Sequence, residues 1–486
     1  MSILARSVNA VALPALDLFT STRFLKEGRR LRRAMREPAD VRRANQLAAL
    51  NDLLRHAQER VPMHRERLAG LVANGGLTSL DDYLAVAPLT KRDISSGFPD
   101  EVTDEQSDRD GWKYVASSGT VERVVSVMDF DRRDDGRAAQ LYAWQAACGF
   151  RAGQEMVQIP PNICNVVCGT DATNEEESFR RELLQYVGGK ARGRDVDISS
   201  VRGAFERRII YRTRMLDPLA TTRTAVETER LEAYWNRLRA ERPHILHALP
   251  EYLYILSEWA RSESKPPLGI PYLFPMGGLA SPAMRTRIVE GLGGTFLDIY
   301  GTAELGPIAF ESSPGEGMHV IHEHFLVEVV VGDRHAEPGE VGEVLITDLR
   351  NRAMPFIRYR VGDLGCFVEA PASSTDRMPR LRILGRADER IDTEAEGCLS
   401  GVDVRDLFFG ELGCHAFRVT IRSPERFDVD YVAREGRPSK DEVKARLERL
   451  LGSGVRCRVR EVESIAAERS GKFRFIRRAS RETVRG

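Results

Sequence analysis

The sequence contains no long apolar run, no excess of charge of either sign and no cysteine framework. No stretch of about 18 apolar residues occurs, and Arg6, Asn9 and Asp17 interrupt the mildly apolar amino terminus, so neither a membrane span nor a cleaved signal is expected. Lys and Arg together number 72, and so do Asp and Glu, so the formal net charge is zero. The chain therefore has no overall electrostatic field to attract nucleic acid or a membrane, and any charged partner must be held locally. Seven cysteines without paired spacing indicate reduced thiols in a cytoplasmic protein.

Internal repeats and low-complexity tracts are also missing, so the 486 residues predict two or three ordinary domains. From Lys113 to Tyr300, short β-like runs alternate with helical stretches, which is typical of a layered α/β arrangement. After Gly317 the pattern becomes β-rich. We therefore predict an α/β fold with two parts: a large layered N-terminal domain with a β-rich subdomain over residues 1–387, and a small, mobile α+β lid domain over residues 388–486.

The stretch "FLDIYGTAELGPIAF" brings an aromatic ring, a glycine and a carboxylate close together, from Tyr300 to Glu304. A predicted strand, "TFLDI", ends at Tyr300, and ligands gather at the carboxyl ends of strands in α/β sheets. An aromatic side chain there can stack on a base, and a carboxylate can bind magnesium. A tight turn with an incidental acid is the alternative.

A serine-rich turn, "YVASSGTVERVVSV", lies between two short predicted strands. Its exposed amides and hydroxyls are suited to phosphate oxygens, although the Gly-Lys-Ser/Thr of the common phosphate loop does not follow. The residues concerned are Ser117, Ser118, Gly119 and Thr120. A plain hairpin turn explains the same residues equally well.

Three further motifs lie toward the carboxyl terminus. "FIRYRVGDLG" predicts a strand that ends in a turn at Asp363, where a carboxylate can accept both hydroxyls of a ribose. "LGRADERIDTEAEG" contains Arg386 and Asp388 at the expected domain junction, and "AERSGKFRFIRR" contains Lys472 in a basic tail. Each motif alone also fits an ordinary solvated turn or tail.

In this order the motifs resemble those of the adenylate-forming superfamily of acyl-CoA synthetases, luciferases and peptide-synthetase adenylation domains. "LLRHAQERVPMHRERL", "LDDYLAVAPLTKRDI" and "GEVLITDLRNRAMPFIRYRVGDLG" resemble more narrowly the phenylacetate:CoA ligase and CapK-like branch. The resemblance extends from about Asn51 to Arg478.

The resemblance implies a two-step reaction with ATP and Mg²⁺ as cofactors. A carboxylate attacks the α-phosphate of ATP to give an acyl adenylate and pyrophosphate, and the thiol of CoA or of a carrier protein then displaces AMP. Tyr300 is implied to stack on adenine, Glu304 to bind magnesium and Asp363 to hold the ribose. The serine-rich turn is implied to hold the β- and γ-phosphates.

The resemblance also implies Arg386 near the nucleotide and Asp388 as the hinge of the lid. Lys472 is implied to reach the carboxylate and the α-phosphate during adenylation. A mobile lysine suits a transfer in which phosphate oxygens gain charge. The other implied nucleotide-binding residues are Gly278, Gly301 and Thr302.

The chain departs from the superfamily pattern at two places. In the serine-rich turn, Val-Glu-Arg-Val replaces the usual Thr/Ser-Gly-Lys-Pro, so that Glu122 is a negative charge and Arg123 is the available substitute for the lysine. Ala303 stands where a hydroxyl usually precedes the magnesium-binding glutamate, and Thr302 lies one position early.

The acyl pocket is predicted around His247, Met276 and Gly277, an apolar set that favours an aryl or medium acyl acid and that core packing also explains. In "MHVIHEHF", strand alternation would place His322 and His324 on one face. That pair is either two metal ligands or a pair of ordinary strand histidines.

Three functions remain open at this point. The chain is predicted to be an AMP-forming carboxylate ligase that transfers the acyl group to a thiol, with a small carboxylic acid and CoA or an acyl-carrier protein as partners. An adenylate-dependent amide-forming ligase and a catalytically silent adenylate-fold binding protein are the alternatives. A homodimer is possible, and no nucleic-acid partner is expected.

Overall fold

The computed structural model describes residues 7–20, 23–73, 75–109, 112–116, 124–161, 192, 203, 205–220, 225–372, 378–393, 397–434, 438–452, 454–468 and 473–479. The chain divides into two compact units. The first unit consists of Met1–Asn9, Ala152–Phe296 and Leu384–Gly486, and the second of Ala10–Arg151 and Leu297–Ile383. The division into a core over residues 1–387 and a mobile lid over residues 388–486 stays a prediction.

The helices of the described residues lie in both units. In chain order they are α1 (Leu13–Thr20, preceded by a π-helical turn at Val8–Ala12), α2 (Phe24–Ala34), α3 (Ala39–Arg60), α4 (Pro62–Ala73), α5 (Lys91–Gly97), α6 (Phe130–Cys148), α7 (Thr228–Glu241), α8 (Pro250–Ser262), α9 (Pro282–Leu292), α10 (Gly401–Arg405) and α11 (Lys440–Leu451). Shorter 3-10 or π-helical turns lie at Asp82–Ala85, Glu206–Ile210, Ala387–Glu389 and Asp406–Glu411.

The longest strands lie in the second half of the chain. They are β1 (Lys113–Ala116), β2 (Val125–Met128), β3 (Met156–Ile159), β4 (Thr213–Met215), β5 (Ile245–Ala248), β6 (Tyr272–Pro275), β7 (Thr295–Phe296), β8 (Ile299–Thr302), β9 (Gly306–Phe310), β10 (His319–Val320), β11 (Phe325–Val331), β12 (Arg334–His335), β13 (Gly342–Asp348), β14 (Tyr359–Val368), β15 (Arg380–Arg386), β16 (Ile391–Thr393), β17 (Gly397–Leu399), β18 (Ala416–Ser423), β19 (Arg426–Val432), β20 (Arg456–Glu461) and β21 (Ile476–Arg478).

The first unit is built on a parallel five-stranded sheet in the order β4-β3-β5-β6-β7. Side chains alternate between the two faces of a strand, and Leu246 and Leu273 of one face join Trp235 of α7 in a buried hydrophobic cluster. Phe408 and Phe417, from the carboxyl-terminal part with its sheet β20-β19-β18-β21, belong to the same cluster. This unit therefore buries one continuous core.

The second unit contains an antiparallel sheet in the order β12-β11-β13-β14-β15 and a three-stranded antiparallel sheet in the order β10-β9-β8. A buried cluster that includes Leu50, Leu54, Tyr83 and Ile357 joins α3 to the segments around the larger sheet. The mixed α/β fold class predicted from the sequence is confirmed. No helix among the described residues is long and apolar enough to cross a bilayer.

Local sequence signals set several helix boundaries. Thr90 and Asp93 form a reciprocal capping box at the start of α5. The α3 helix ends at Arg60 and Pro62 begins α4, where proline is tolerated in the first turn. Ser281 caps α9 by accepting a hydrogen bond from the Met284 amide, and Pro282 takes the first position of that helix.

Two predicted local structures are wrong. "TFLDI" is not one strand: β7 belongs to the parallel sheet, whereas β8 pairs with β9, and Asp298 between them donates its amide to the Glu311 carboxylate at 2.9 Å. Asp363 does not lie in a turn, because β14 continues through it to Val368. Gly362 adopts a φ of +87°, where the pairing register with β13 shifts, so the chain bulges without ending the strand.

Candidate active site

The candidate site of the second unit is the hairpin turn between β8 and β9, which carries Glu304. A Cβ on Gly301 would lie 2.5 Å from the Gly306 carbonyl oxygen, so only glycine permits this close approach. Gly306 has a φ of +78°, a left-handed conformation that also favours glycine. Thr302 Oγ1 accepts a hydrogen bond from the Leu305 amide at 3.2 Å and closes the turn.

The Glu304 carboxylate is held by a tyrosine from β14. Its side chain is buried, and the Tyr359 hydroxyl donates to Glu304 Oε1 at 3.0 Å. Tyr359 is itself fully buried and packs edge-on against Phe356. The carboxylate therefore has a fixed direction before any ligand binds.

The main chain just after Glu304 is anchored by a buried arginine. Arg132, in the first turn of α6, donates through Nη2 to the Leu305 carbonyl at 2.6 Å and through Nε to Asp348 Oδ2 at 2.7 Å. Both side chains of the ion pair are 1% exposed or less. Removing one partner of such a pair leaves an uncompensated buried charge, so Arg132 fixes the turn firmly.

Tyr300 and Asp363 lie together in the same unit. The Tyr300 hydroxyl donates to Asp363 Oδ2 at 2.6 Å, which joins β8 to β14. Asp363 is 9% exposed. The structure thus brings together the residues predicted to contact adenine and ribose, and it gives Tyr300 a hydrogen-bonding contact that the sequence did not indicate.

In the first unit, the two predicted site residues Arg386 and Asp388 lie close together. Arg386 Nε lies 3.5 Å from Asp388 Oδ1, and Arg474 donates through Nη2 to Asp388 Oδ2. Asp388 lies in the 3-10 turn Ala387–Glu389. Arg474, which sequence reasoning missed, connects the predicted hinge to the chain segment that follows Lys472.

The predicted acyl-pocket residues lie at the carboxyl ends of β5 and β6. Burial lowers the pKa of His247 to about 4, against a smaller opposite effect from its hydrogen bond to the Pro275 backbone, so the ring is neutral at physiological pH. Gln158 of the neighbouring strand lies with Nε2 3.4 Å from His247 Nδ1. Met276 continues the chain from β6 with a backbone hydrogen bond to Ala248 at 2.8 Å.

Two glycines follow Met276, the first because of its backbone conformation and the second because a neighbouring side chain is close. Gly277 has a φ of +61°, and a Cβ on Gly278 would lie 3.2 Å from Pro250 Cδ. Gln158 was not predicted to be a site residue. The sequence shows only that it lies on a short, mostly apolar strand, and that pattern does not distinguish a pocket residue from a core residue.

Some predicted residues lie outside the described part of the chain. These are the serine-rich turn, Ser117 to Thr120, with Glu122 and Arg123, and the terminal lysine, Lys472. Their assigned roles stay predictions.

The histidines of "MHVIHEHF" do not lie on one strand. The β10 strand ends at Val320, and His322 and His324 lie in the turn before β11. His324 Nε2 lies 2.7 Å from Glu27 Oε1, and among the described residues no group of three or more His, Cys, Asp or Glu side chains is arranged to hold a metal ion. Burial raises the pKa of Glu27, but the hydrogen bonds from His324 and Arg30 outweigh it and hold the pKa well below its ordinary value.

The Glu304 carboxylate fits the chemistry of a magnesium ligand. Mg²⁺ takes oxygen ligands and is usually bound by one or two carboxylates together with substrate phosphates. Tyr359 bonds one carboxylate oxygen, Oε1, which leaves Oε2 as the oxygen that an ion would take.

The fold is that of the adenylate-forming ligases. A solved 2-hydroxyisobutyryl-CoA ligase in the postadenylation state, bound to an acyl-AMP, superposes with a TM-score of 0.66 at 20% sequence identity, over 93% of this chain and 92% of that one. An open conformation of the same ligase, bound to its acyl-AMP and CoA, gives a TM-score of 0.55 at 19% identity, over 91% of this chain and 93% of that one.

Sequence comparison leads to a narrower group: the chain is a homologue of the phenylacetate-coenzyme A ligases. The enzymes of Pseudomonas putida and Escherichia coli are 26% and 27% identical to it over 72% of this chain and 72% of their own length. The Thermus thermophilus enzyme is 34% identical over 31% of this chain, and the match spans only 36% of that enzyme. The chain matches no protein-family model. The resemblance stated from the sequence is confirmed.

Proposed function

We propose that the protein activates a carboxylic acid with ATP and transfers the acyl group to the thiol of CoA. In the first step a carboxylate oxygen of the acid bonds to the α-phosphorus of ATP and pyrophosphate leaves with the electron pair of the broken P–O bond. In the second step the thiolate bonds to the acyl carbon and AMP leaves. The observation that carries the proposal is the buried Glu304 carboxylate, held by Tyr359 in a turn that Arg132 anchors.

The residues of the second unit account for nucleotide binding. Asp363 accepts the ribose hydroxyls, and its hydrogen bond with Tyr300 sets the plane of the ring on which adenine stacks. Glu304 holds Mg²⁺, which supplies positive charge to the phosphate oxygens as they gain negative charge. The turn is rigid, so the carboxylate does not reorganise as charge develops.

Thr302 is the residue proposed to supply the hydroxyl that Ala303 lacks. Its Oγ1 accepts from the Leu305 amide through a lone pair, which leaves the hydroxyl proton free to be donated to an acceptor. The sequence change at Ala303 therefore need not remove the hydroxyl from this turn.

The remaining roles belong to residues of the first unit and to the serine-rich turn. Ser117 to Thr120 hold the β- and γ-phosphates and Arg386 lies near the nucleotide. Lys472 contacts the carboxylate and α-phosphate during adenylation, and Asp388 is the hinge of the lid. The contacts of Asp388 with Arg386 and Arg474 support a defined hinge position.

The acid is proposed to be an aryl or medium acyl acid, with phenylacetate as the first acid to test because the relatives are named for it. Met276 and Gly277 are proposed to line the acyl pocket together with His247, whose ring burial keeps neutral. The reaction is proposed to occur in the cytoplasm, where ATP and reduced CoA are available. A homodimer stays a prediction.

Pyrophosphate release with a panel of carboxylic acids tests the adenylation step, and product mass tests the acceptor. We expect pyrophosphate with at least one aryl or medium acyl acid and a CoA thioester when CoA is added. An amide with an added amine, and no thioester, would replace the proposal by the amide-forming alternative. No pyrophosphate with any acid would favour the catalytically silent alternative.

A further inference from the structure

The two most exposed large hydrophobic side chains among the described residues lie on one short stretch near the amino terminus. Leu18 is 79% exposed and Val11 is 66% exposed, and Pro14 between them is exposed as well. Their spacing of seven places Val11 and Leu18 on the same face of a helix. Single exposed hydrophobics are ordinary, but an aligned set is not a random scatter.

The next helix, α2, and the turn that follows it carry a dense basic surface. Six basic side chains are exposed there: Lys26, Arg29, Arg30, Arg32, Arg33 and Arg36. The acid in α2, Glu27, is buried and forms a two-point ion pair with Arg30, whose Nε and Nη2 donate to Oε2 at 2.8 Å and to Oε1 at 2.6 Å. It offsets the charge of Arg30, so the other five side chains supply the positive charge of this surface. The whole chain is neutral, so the positive charge is a local feature.

The charges are close enough to act together. Partial burial is the largest cause that lowers the pKa of Arg32; Tyr142 acts in the opposite direction, and the positive charges of Arg29 and Arg36 lower the pKa further. The two helices are adjacent, because the Leu25 amide at the start of α2 donates to Asp17 Oδ2 of α1 at 2.7 Å. The exposed apolar side chains and the basic surface therefore belong to neighbouring helices of the second unit.

We propose that this surface, formed by Val11, Leu18 and the basic side chains of α2, docks on an anionic lipid bilayer. The apolar side chains enter the boundary between headgroups and acyl chains, while Lys and Arg contact the phosphates of the headgroups. Exposed aliphatic side chains on one helix with Lys and Arg on the next are the combination that amphipathic segments use at the headgroup boundary of anionic membranes. None of the residues of this surface is among the residues proposed for the reaction.

Co-sedimentation of the full chain with vesicles tests the proposal. We expect binding to vesicles of phosphatidylcholine with phosphatidylglycerol and none to phosphatidylcholine alone. Binding should fall as salt is added, because screening acts over about 8 Å at physiological ionic strength and over less at higher salt. The triple variant Arg29→Glu, Arg33→Glu, Arg36→Glu should weaken binding by roughly tenfold or more.

A double variant, Val11→Ser with Leu18→Ser, tests the exposed apolar side chains at unchanged charge and should also weaken binding. The matched control reverses three exposed basic residues of α11, through Lys440→Glu, Lys444→Glu and Arg449→Glu, and should bind as the unmodified chain does. Circular dichroism and the thermal midpoint confirm that each variant is folded.

Three results would overturn the proposal: no preference for anionic vesicles, an equal loss of binding in the α11 control, or full binding by both the α1 and α2 variants. Retention on immobilised polyglutamate without binding to vesicles would assign the surface to an acidic protein instead.

Discussion

Tyr359→Phe is the sharpest test of how Glu304 is held. The substitution keeps the ring and its edge contact with Phe356 at 5.0 Å but removes the hydroxyl that donates to Glu304 Oε1 at 3.0 Å. A hydrogen bond to a charged group contributes about 1.5–3 kcal/mol. Since about 1.4 kcal/mol corresponds to a tenfold change, we expect the Mg²⁺ concentration for half-maximal ATP–pyrophosphate exchange to rise at least tenfold.

The matched control for this variant is Tyr83→Phe. Tyr83 is also fully buried, and its hydroxyl is 2.7 Å from Thr347 Oγ1, away from Glu304. Both variants should lose stability in urea unfolding, by about 1.5–3 kcal/mol for Tyr359→Phe, whose partner is a carboxylate, and by about 1 kcal/mol for Tyr83→Phe, whose partner is a hydroxyl. Only Tyr359→Phe should change the Mg²⁺ dependence and weaken Mn²⁺ binding in the presence of ATP, followed by electron paramagnetic resonance. Equal Mg²⁺ curves for Tyr359→Phe and the unmodified chain would show that the Tyr359 hydroxyl does not position Glu304 for Mg²⁺.

Two further predictions concern stability. Arg132→Ala leaves Asp348 buried without its partner, so the free energy of unfolding in urea should fall by about 3–5 kcal/mol; a loss below about 1 kcal/mol would contradict the anchoring role. Burial and the charge of Arg67 lower the pKa of His64 to about 3, and His64 Nδ1 lies 2.7 Å from Arg67 Nη1. The folded state therefore excludes a proton that the His64 ring binds in the unfolded state below about pH 6.5. Stability should therefore drop by about 2 kcal/mol from this group between pH 7 and pH 5. His64→Gln should show a correspondingly flatter pH profile, and parallel profiles would count against this explanation.

Features set by neighbouring residues were predictable from the sequence. The capping box of Thr90 with Asp93 and the helix start at Pro282 follow from short-range chemistry that a few residues contain. The order of the nucleotide motifs, from Tyr300 and Glu304 to Asp363, was enough to indicate the superfamily, because it is read along the chain and does not depend on tertiary contacts.

Features that depend on distant contacts were not predictable. Tyr359 and Glu304 are 55 residues apart, and Arg132 and Leu305 are 173 apart, so no local pattern joins them. Asp363 was expected in a turn because Gly-Asp usually marks one, but pairing with β13 keeps it in a strand with a bulge at Gly362. Tertiary pairing overrode the local turn preference there.

ATP–pyrophosphate exchange with the unmodified chain, Lys472→Ala and Glu304→Gln tests the proposed chemistry most directly. We expect exchange by the unmodified chain with at least one aryl or medium acyl acid, and a large loss in both variants, since one lacks the cation for the α-phosphate and the other the carboxylate for Mg²⁺. Full exchange by Lys472→Ala would contradict the role given to that lysine. Absence of exchange by the unmodified chain with every acid tried would contradict the proposed function itself.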